Sequence, residues 1–272
     1  MKKILSLILS MVLCVALTAC NSNQAVNATA NSEPSPLPAL SASPTAPTSQ
    51  PAAPDQTADS VDGTYPAYAA ALETLLQRHM LPDGTDTGEQ FGDIAENQFA
   101  VYDVDHDGKD ELILLYSTTA TAGMAGYIFA YDNESGLLQT ELQEFPSLTF
   151  YENGVVEAGW SHNQGLAGDF WPYSLYQYDA NSDRYTPVGM VDAWDKGFSE
   201  TDYQNRPFPS DIDKSGTGVV YYIMEDGQYD TTNPVDASAY NAWVNAHIGG
   251  ASEIQIQYMT LTEENISQVR NG

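Results

Sequence analysis

The chain has 272 residues, of which 37 are acidic and nine are basic, and its formal net charge is −28 at pH 7. Phosphate backbones and anionic lipid headgroups repel such a chain, so we exclude nucleic acid as a partner. Its two cysteines are Cys14 and Cys20. Because Cys14 lies in a segment that we expect to be removed, the mature protein has no intramolecular disulfide and must be stabilised by a core, a metal ion or both.

The N-terminus has the pattern of a secretory signal peptide covering residues 1–19. Lys2 and Lys3 precede an apolar run at 4–17, which is shorter than the roughly 20 residues that a membrane-spanning helix needs. The run ends in the sequence LTAC at 17–20, which resembles the lipobox of bacterial lipoproteins. That resemblance implies cleavage before Cys20, acylation of its thiol, and lipid anchoring at the extracytoplasmic face of the bacterial cell membrane. The alternative is an ordinary signal peptide followed by an incidental cysteine.

Residues 20–60 combine the lipidated cysteine with a linker rich in proline, serine and alanine. Seven of the 15 prolines lie here, and aromatic side chains begin only after this segment. Such a composition cannot bury a core, so it predicts a disordered, extended stalk. All 17 tyrosines and all four tryptophans lie in residues 61–272, which we interpret as one folded domain.

The elements of that domain follow from hydrophobic spacing and turn residues. Helical spacing predicts a helix at 65–80, and alternation of apolar and polar residues predicts strands at 99–103, 111–118, 126–131, 137–142, 148–151, 155–160, 173–178, 185–191 and 218–224. Asn233 and Pro234 predict the start of a helix at 234–248. A strand at 253–261 and a short helix beginning at 262–265 complete the domain.

These elements predict an α+β, β-dominated fold: an antiparallel meander or partial propeller-like sheets, with an N-terminal helix and C-terminal helices. Three of the predicted strands end in Tyr-Asp, at 102–103, 131–132 and 178–179. Each pair is followed by a polar turn and another strand, which indicates a repeated strand-turn-strand unit. The alternative is that tyrosine simply suits strands and aspartate suits turns.

The segment from Asp103 to Glu111 has the spacing of a calcium loop. Carboxylates at the first, third and fifth positions converge on one point, and Gly108 at the sixth permits the sharp turn. The Lys109 carbonyl at the seventh position and the Glu111 carboxylate at the ninth complete an oxygen shell. The chain is not an EF-hand, because the twelfth position is Leu114 and strands flank the loop.

This DxDxDGxxE pattern resembles the calcium loops in blades of FG-GAP and integrin-type propellers, and similar stretches occur in exported Firmicutes proteins. The resemblance covers residues 99–114 and implies calcium ligation by Asp103, Asp105, Asp107, the Lys109 carbonyl and Glu111. His106 stands where the family has a small residue. The alternative is a metal-free acidic turn, in which the carboxylates would repel one another. A weaker candidate includes Asp211 and Asp213, where we favour an ordinary polar turn.

The segment 160–173 combines aromatic rings with polar side chains and two glycines. This mixture is typical of sugar recognition, in which rings stack on the ligand and polar groups bind hydroxyls. The candidate ligand-binding residues are Trp160, His162, Asn163, Gln164, Asp169, Trp171 and Tyr173. The alternative is a long loop with buried aromatic residues that covers one end of a sheet.

No catalytic residue is assigned, because the sequence lacks the motifs of metalloproteases, α/β-hydrolases and P-loop enzymes. Ser161, His162 and Asp169 could form a triad, but adjacent serine and histidine side chains usually point apart. The favoured hypothesis is a surface-anchored, calcium-stabilised module that binds glycan or a cell-surface protein. The alternatives are an extracytoplasmic polysaccharide hydrolase, and a structural or regulatory lipoprotein with no small ligand.

Overall fold

The computed structural model describes residues 63–163 and 165–271. The predicted signal peptide, the predicted acylation site at Cys20 and the predicted linker at 20–60 lie outside the described residues, as does Gln164. Within them, the expectation of a β-dominated fold with an N-terminal helix and C-terminal helices is confirmed, because two antiparallel sheets form the body of the domain.

The elements follow the predicted order closely. The helices are α1 (Thr64–Arg78), α2 (Ala237–His247) and α3 (Glu263–Arg270). The strands are β1 (Gln98–Tyr102), β2 (Glu111–Tyr116), β3 (Ala125–Asp132), β4 (Leu137–Glu144), β5 (Leu148–Tyr151), β6 (Val155–Gly159), β7 (Tyr173–Asp179), β8 (Arg184–Asp195), β9 (Val219–Met224), β10 (Glu253–Ile254) and β11 (Met259–Thr260). Short 3₁₀ turns occur at Ile94–Glu96 and Thr121–Gly123.

Each sheet is an antiparallel meander with one short strand from the C-terminal segment added at its edge. The first sheet has the order β11-β1-β2-β3-β4 and the second has the order β10-β5-β6-β7-β8-β9. All neighbouring strands are antiparallel. The Tyr-Asp pairs at 131–132 and 178–179 end β3 and β7, and each is followed by a hairpin to the next strand. In both hairpins the aspartate carboxylate accepts the backbone N–H two residues later.

The domain has four layers, in the order α1 with α3, the first sheet, the second sheet and α2. Each sheet therefore buries both of its faces. On β2, Leu112 and Leu114 face α1 and α3, whereas Ile113 between them faces the second sheet. On β6, Val156 faces the first sheet and Val155 faces α2. This period of two is what pleated strands impose, and it places one apolar layer between the sheets.

Helix α1 lies on the first sheet with its buried face formed by Tyr68, Leu72 and Leu75. The helix ends where His79 adopts a left-handed conformation and its N–H bonds to the Leu75 carbonyl. In the described part of the chain, no helix is both long and apolar enough to cross a membrane.

Two predictions in the C-terminal third are wrong. Helix α2 begins at Ala237 with Asp236 as its N-cap, rather than at Pro234 after Asn233. The reason is that Val235 exchanges two backbone hydrogen bonds with Tyr221, of 3.0 and 2.7 Å, so the chain is still extended there.

The predicted strand at 253–261 is likewise two separate strands. β10 pairs with β5 of the second sheet, and β11 pairs with β1 of the first. Between them, the chain crosses from one sheet to the other. Its alternating side chains, Ile254, Ile256 and Tyr258, all pack into the apolar layer between the sheets. The alternation therefore reflects burial correctly, but the hydrogen-bonding partner changes midway.

Candidate metal centre

The β1–β2 loop folds back on itself through hydrogen bonds from its backbone N–H groups to its own aspartate side chains. The Asp107 N–H donates to Asp105 Oδ1 at 2.9 Å, and the Lys109 N–H donates to Asp107 Oδ1 at 2.8 Å. Gly108 takes a φ of +90°, a conformation that side chains disfavour. His106 also lies in the left-handed region, with a φ of 64°. These turns bend the chain sharply enough to return it to β2 within a few residues.

That bend brings three carboxylates together. One ligand atom each from Asp103, Asp105 and Glu111 lies within 4.8 Å of the others. Glu111 is the first residue of β2 and shares a face with Ile113, so its side chain enters the layer between the sheets. Its Oε2 accepts the Val104 N–H at 3.0 Å, which fixes its position. The three side chains form a group that can hold a metal ion.

The oxygens of this group are buried and incompletely satisfied. Asp103 Oδ1 and Asp105 Oδ2 are inaccessible to solvent and have no hydrogen-bond partner among the described residues. Burial raises the pKa of Asp105 to about 6, and the charges of Asp107 and Asp103 add to the rise. Burial also raises the pKa of Glu111 to about 10, with a contribution from the Asp105 charge. A cation between these oxygens would act against both shifts, because a nearby opposite charge favours the ionised carboxylates.

The fourth predicted carboxylate ligand, that of Asp107, is placed differently. Among the described residues, the Asp107 carboxylate is not part of a group of acidic side chains that can hold an ion. Its Oδ2 instead pairs with Lys109 Nζ at 2.7 Å. This hydrogen bond is the main reason that the pKa of Lys109 is raised. The Lys109 ammonium is thus a partial counter-charge at the outer edge of the loop.

Two acidic residues that sequence reasoning missed join the same cluster. Glu141 of β4 and Asp183 of the β7–β8 hairpin each bring a ligand atom within 4.8 Å of one from Asp105 and of each other. Phe129 pairs with Thr140 and Ile128 pairs with Leu142, so Glu141 is the extra residue of a β-bulge. The bulge turns Glu141 and Leu142 to the same face.

The loop also contacts the second sheet directly. His106 Nε2 lies 3.2 Å from a carboxylate oxygen of Glu152, in the turn between β5 and β6. A Cβ added at Gly154 in that turn would lie 3.7 Å from the Asp105 carbonyl. The acidic cluster therefore lies where the two sheets meet, not at a free hairpin tip.

Comparisons of the chain with protein-family models, with curated proteins and with solved structures find no significant match. The site must be interpreted from its own geometry.

The aromatic segment at 160–173 divides into structural and exposed residues. Trp160 is half-buried and donates its ring N–H to Ser174 Oγ at 3.0 Å, whereas Tyr173 is buried and contacts the hydroxyl of Tyr240 at 3.2 Å. Asn163 closes the loop by accepting the Gly165 N–H and donating to the Phe170 carbonyl. Trp160, Tyr173 and Asn163 therefore hold the loop in place.

The remaining described candidates in this segment are exposed. The Trp171 ring is 53 % exposed and is fixed by a 2.7 Å hydrogen bond from its N–H to the Trp160 carbonyl. His162 and Asp169 are exposed on the same loop. His162 Nδ1 lies 2.9 Å from the hydroxyl of Ser161, so these adjacent side chains do meet, contrary to our expectation. Their exposure to water gives the serine no sheltered site in which to act as a nucleophile.

A small cleft lies beside this loop, with a cavity volume of 110 Å³. Its walls carry tyrosine rings and charged side chains from β8, β9 and two loops, including Asp192, Asp202, Tyr203, Arg206 and Tyr229. Asp192 accepts the Tyr229 hydroxyl at 2.9 Å, and Asp202 pairs with Arg206 at 2.5 Å. Both carboxylates are thus engaged within the protein.

The second acidic turn is held by its own hydrogen bonds. Asp213 accepts the backbone N–H groups of Thr217 and Gly218 at 3.0 and 2.9 Å. In the described part of the chain, neither Asp211 nor Asp213 belongs to a group of acidic residues that can hold an ion.

Proposed function

We propose that this chain is a bacterial lipoprotein, anchored through Cys20, whose β-rich domain is stabilised by calcium bound at Asp103, Asp105 and Glu111. The observation that carries the proposal is the convergence of these carboxylates in a buried place with unsatisfied oxygens. Burying ionised carboxylates without a partner costs several kcal/mol, and a bound cation offsets that cost.

Calcium suits the site better than magnesium. Two oxygens that each lie about 2.4 Å from one calcium ion are at most about 4.8 Å apart. The three carboxylates meet that condition with only small adjustments, and the Lys109 carbonyl and water can complete the shell. Calcium accepts irregular shells of six to eight oxygens, which suits a loop rich in carboxylates, whereas magnesium demands a tight octahedron of oxygens at about 2.1 Å.

The test is calorimetric titration of the full-length protein with calcium. Asp103→Asn removes one charged ligand without changing the shape of the side chain, so we expect calcium affinity at the loop to fall at least tenfold. Asp211→Asn is the matched control, because it removes a carboxylate from the other acidic turn and should leave affinity unchanged. Equal calcium affinity in Asp103→Asn and in the unmutated protein would refute the proposal.

Anchoring is tested separately by metabolic labelling with a fatty acid. Acyl chains stabilise membrane association by roughly 0.8 kcal/mol per buried CH₂, so two or three chains hold the protein firmly. Cys20→Ala should abolish labelling and release the protein from membranes. Label retained in Cys20→Ala would contradict the lipobox interpretation.

At the 160–173 loop, a binding role fits the structure better than hydrolysis does. The cleft of 110 Å³ is smaller than the roughly 300 Å³ at which ligand pockets begin, and its carboxylates Asp192 and Asp202 are already paired. The exposed, fixed ring of Trp171 instead supports stacking on a glycan.

A glycan array probed with the full-length protein tests this role. Trp171→Ala should reduce binding, and Phe91→Ala, which removes another exposed ring, should not. Hydrolysis of any arrayed polysaccharide would favour the enzyme alternative.

A further inference from the structure

We propose a second divalent-cation site between the two sheets, formed by Asp105, Glu141 and Asp183, so that the domain binds two calcium-like ions that share Asp105. One ligand atom from each of these residues lies within 4.8 Å of the others. The proposal rests on the loop site only through this shared residue. Asp183 and Glu141 come from different sheets, so the ion would bridge the sheets.

The independent observation is the state of Glu141. This side chain is 6 % exposed, and both of its carboxylate oxygens are buried without a hydrogen-bond partner among the described residues. A buried carboxylate ordinarily has several hydrogen bonds, since an unsatisfied one is costly. The β-bulge that turns Glu141 inward gives up a regular ladder position to put a carboxylate here, which is a common use of bulges near binding sites.

A second buried group points to the same place. The hydroxyl of Tyr185, at the start of β8, is buried and has no hydrogen-bond partner within the described residues. Its ring lies 5.6 Å from that of Tyr178, whose hydroxyl donates to Asp183, so Tyr185 lies close to the cluster. It can donate to a ligating carboxylate or to a water bound to the ion.

The β7–β8 hairpin supplies the third ligand of this site, Asp183. Asp183 has a φ of 53°, and its Oδ1 accepts the Tyr178 hydroxyl at 2.5 Å, which holds its carboxylate toward Asp105. A cavity of 370 Å³ lined by Asp183, Lys109 and the β3–β4 hairpin opens beside it. The Asp183 side of the site is therefore open to solvent.

The test counts bound calcium ions by native mass spectrometry and calorimetry on the full-length protein. We expect two ions in the unmutated protein and one in Glu141→Gln, where the neutral amide keeps the shape of the side chain. Asp183→Asn should also bind one ion. Because position 183 is exposed and asparagine tolerates the left-handed backbone, this variant decides the question if Glu141→Gln does not fold. Asp179→Asn, in the same hairpin, should bind two.

The outcomes separate the two proposals. The ion that remains in Glu141→Gln should be lost when Asp103→Asn is added. One ion that is lost in Asp103→Asn but kept in Glu141→Gln and Asp183→Asn would overturn the second site and leave the loop site standing. If the unmutated protein binds one ion, and Asp103→Asn, Glu141→Gln and Asp183→Asn each bind none, all these residues hold a single ion. That result would also overturn the two-ion proposal. A variant Asp103→Asn that keeps one ion, when Glu141→Gln binds none, would overturn the loop site instead.

Discussion

The Tyr68 hydroxyl links helix α1 to the acidic loop, and its removal should be costly. Tyr68 is fully buried, and its hydroxyl donates to the Asp110 carbonyl at 2.8 Å and lies 3.2 Å from the Phe129 carbonyl. Tyr68→Phe leaves the ring in place but takes away the donor. Leaving a buried acceptor unsatisfied costs about 1 to 3 kcal/mol. For a domain of this size, that is a decrease of roughly 2 to 12 °C in melting temperature.

The assay is urea unfolding of the full-length protein, followed by fluorescence. Tyr102→Phe is the control: its ring is 40 % exposed on β1, so the unfolding free energy should change by less than about 0.5 kcal/mol. Because Asp110 directly precedes Glu111, Tyr68→Phe should also weaken calcium binding. An unfolding free energy equal to that of the unmutated protein would show that the hydroxyl does not anchor this loop.

Three further predictions concern other parts of the domain. Asn97 is fully buried, donates to Ile94 and Thr118 and accepts two N–H groups, so Asn97→Ala should lower the unfolding free energy by about 2 to 4 kcal/mol in chemical denaturation. Gly126→Ala should cost about 1 to 3 kcal/mol by the same measurement, since its Cβ would lie 2.9 Å from Leu148, and an unchanged midpoint would contradict this packing. In chelator, the unfolding free energy should fall as pH rises from about 4 to 9, because the pKa values of Asp105, Glu111 and Glu141 are raised and the folded state therefore binds more protons than the unfolded chain. Saturating calcium should remove this dependence on pH. An equal dependence on pH in chelator and in calcium would count against the cluster.

The strands were predictable because their burial is periodic. On β2, the run from Leu112 to Leu114 alternates between the helix layer and the sheet layer. The start of α2 was not predictable, because it depends on the bridge from Val235 to Tyr221, which no local pattern encodes. The prediction of a single strand at 253–261 is wrong for the same reason, since the change of partner from β5 to β1 depends on how the two sheets pack.

The candidate metal site shows the same division. The loop could be recognised because Asp103, Asp105 and Glu111 lie within one short segment. Glu141 and Asp183 could not, since they come from a distant strand and hairpin. The available signal was the failed alternation in β4: Leu138 faces the helices, but Leu142 faces the second sheet. Such a break indicates a bulge, yet only the fold shows what the bulged residue faces.

Melting curves of the full-length protein in calcium, magnesium and chelator test the central claim most directly. Calcium at one hundred times its dissociation constant should stabilise the domain by about 2.7 kcal/mol, which corresponds to a rise of roughly 5 to 11 °C in melting temperature. Magnesium should do less, and Asp105→Asn should abolish the response while Asp211→Asn keeps it. Identical melting temperatures in all three solutions, together with no heat of calcium binding, would show that the loop is only an acidic turn.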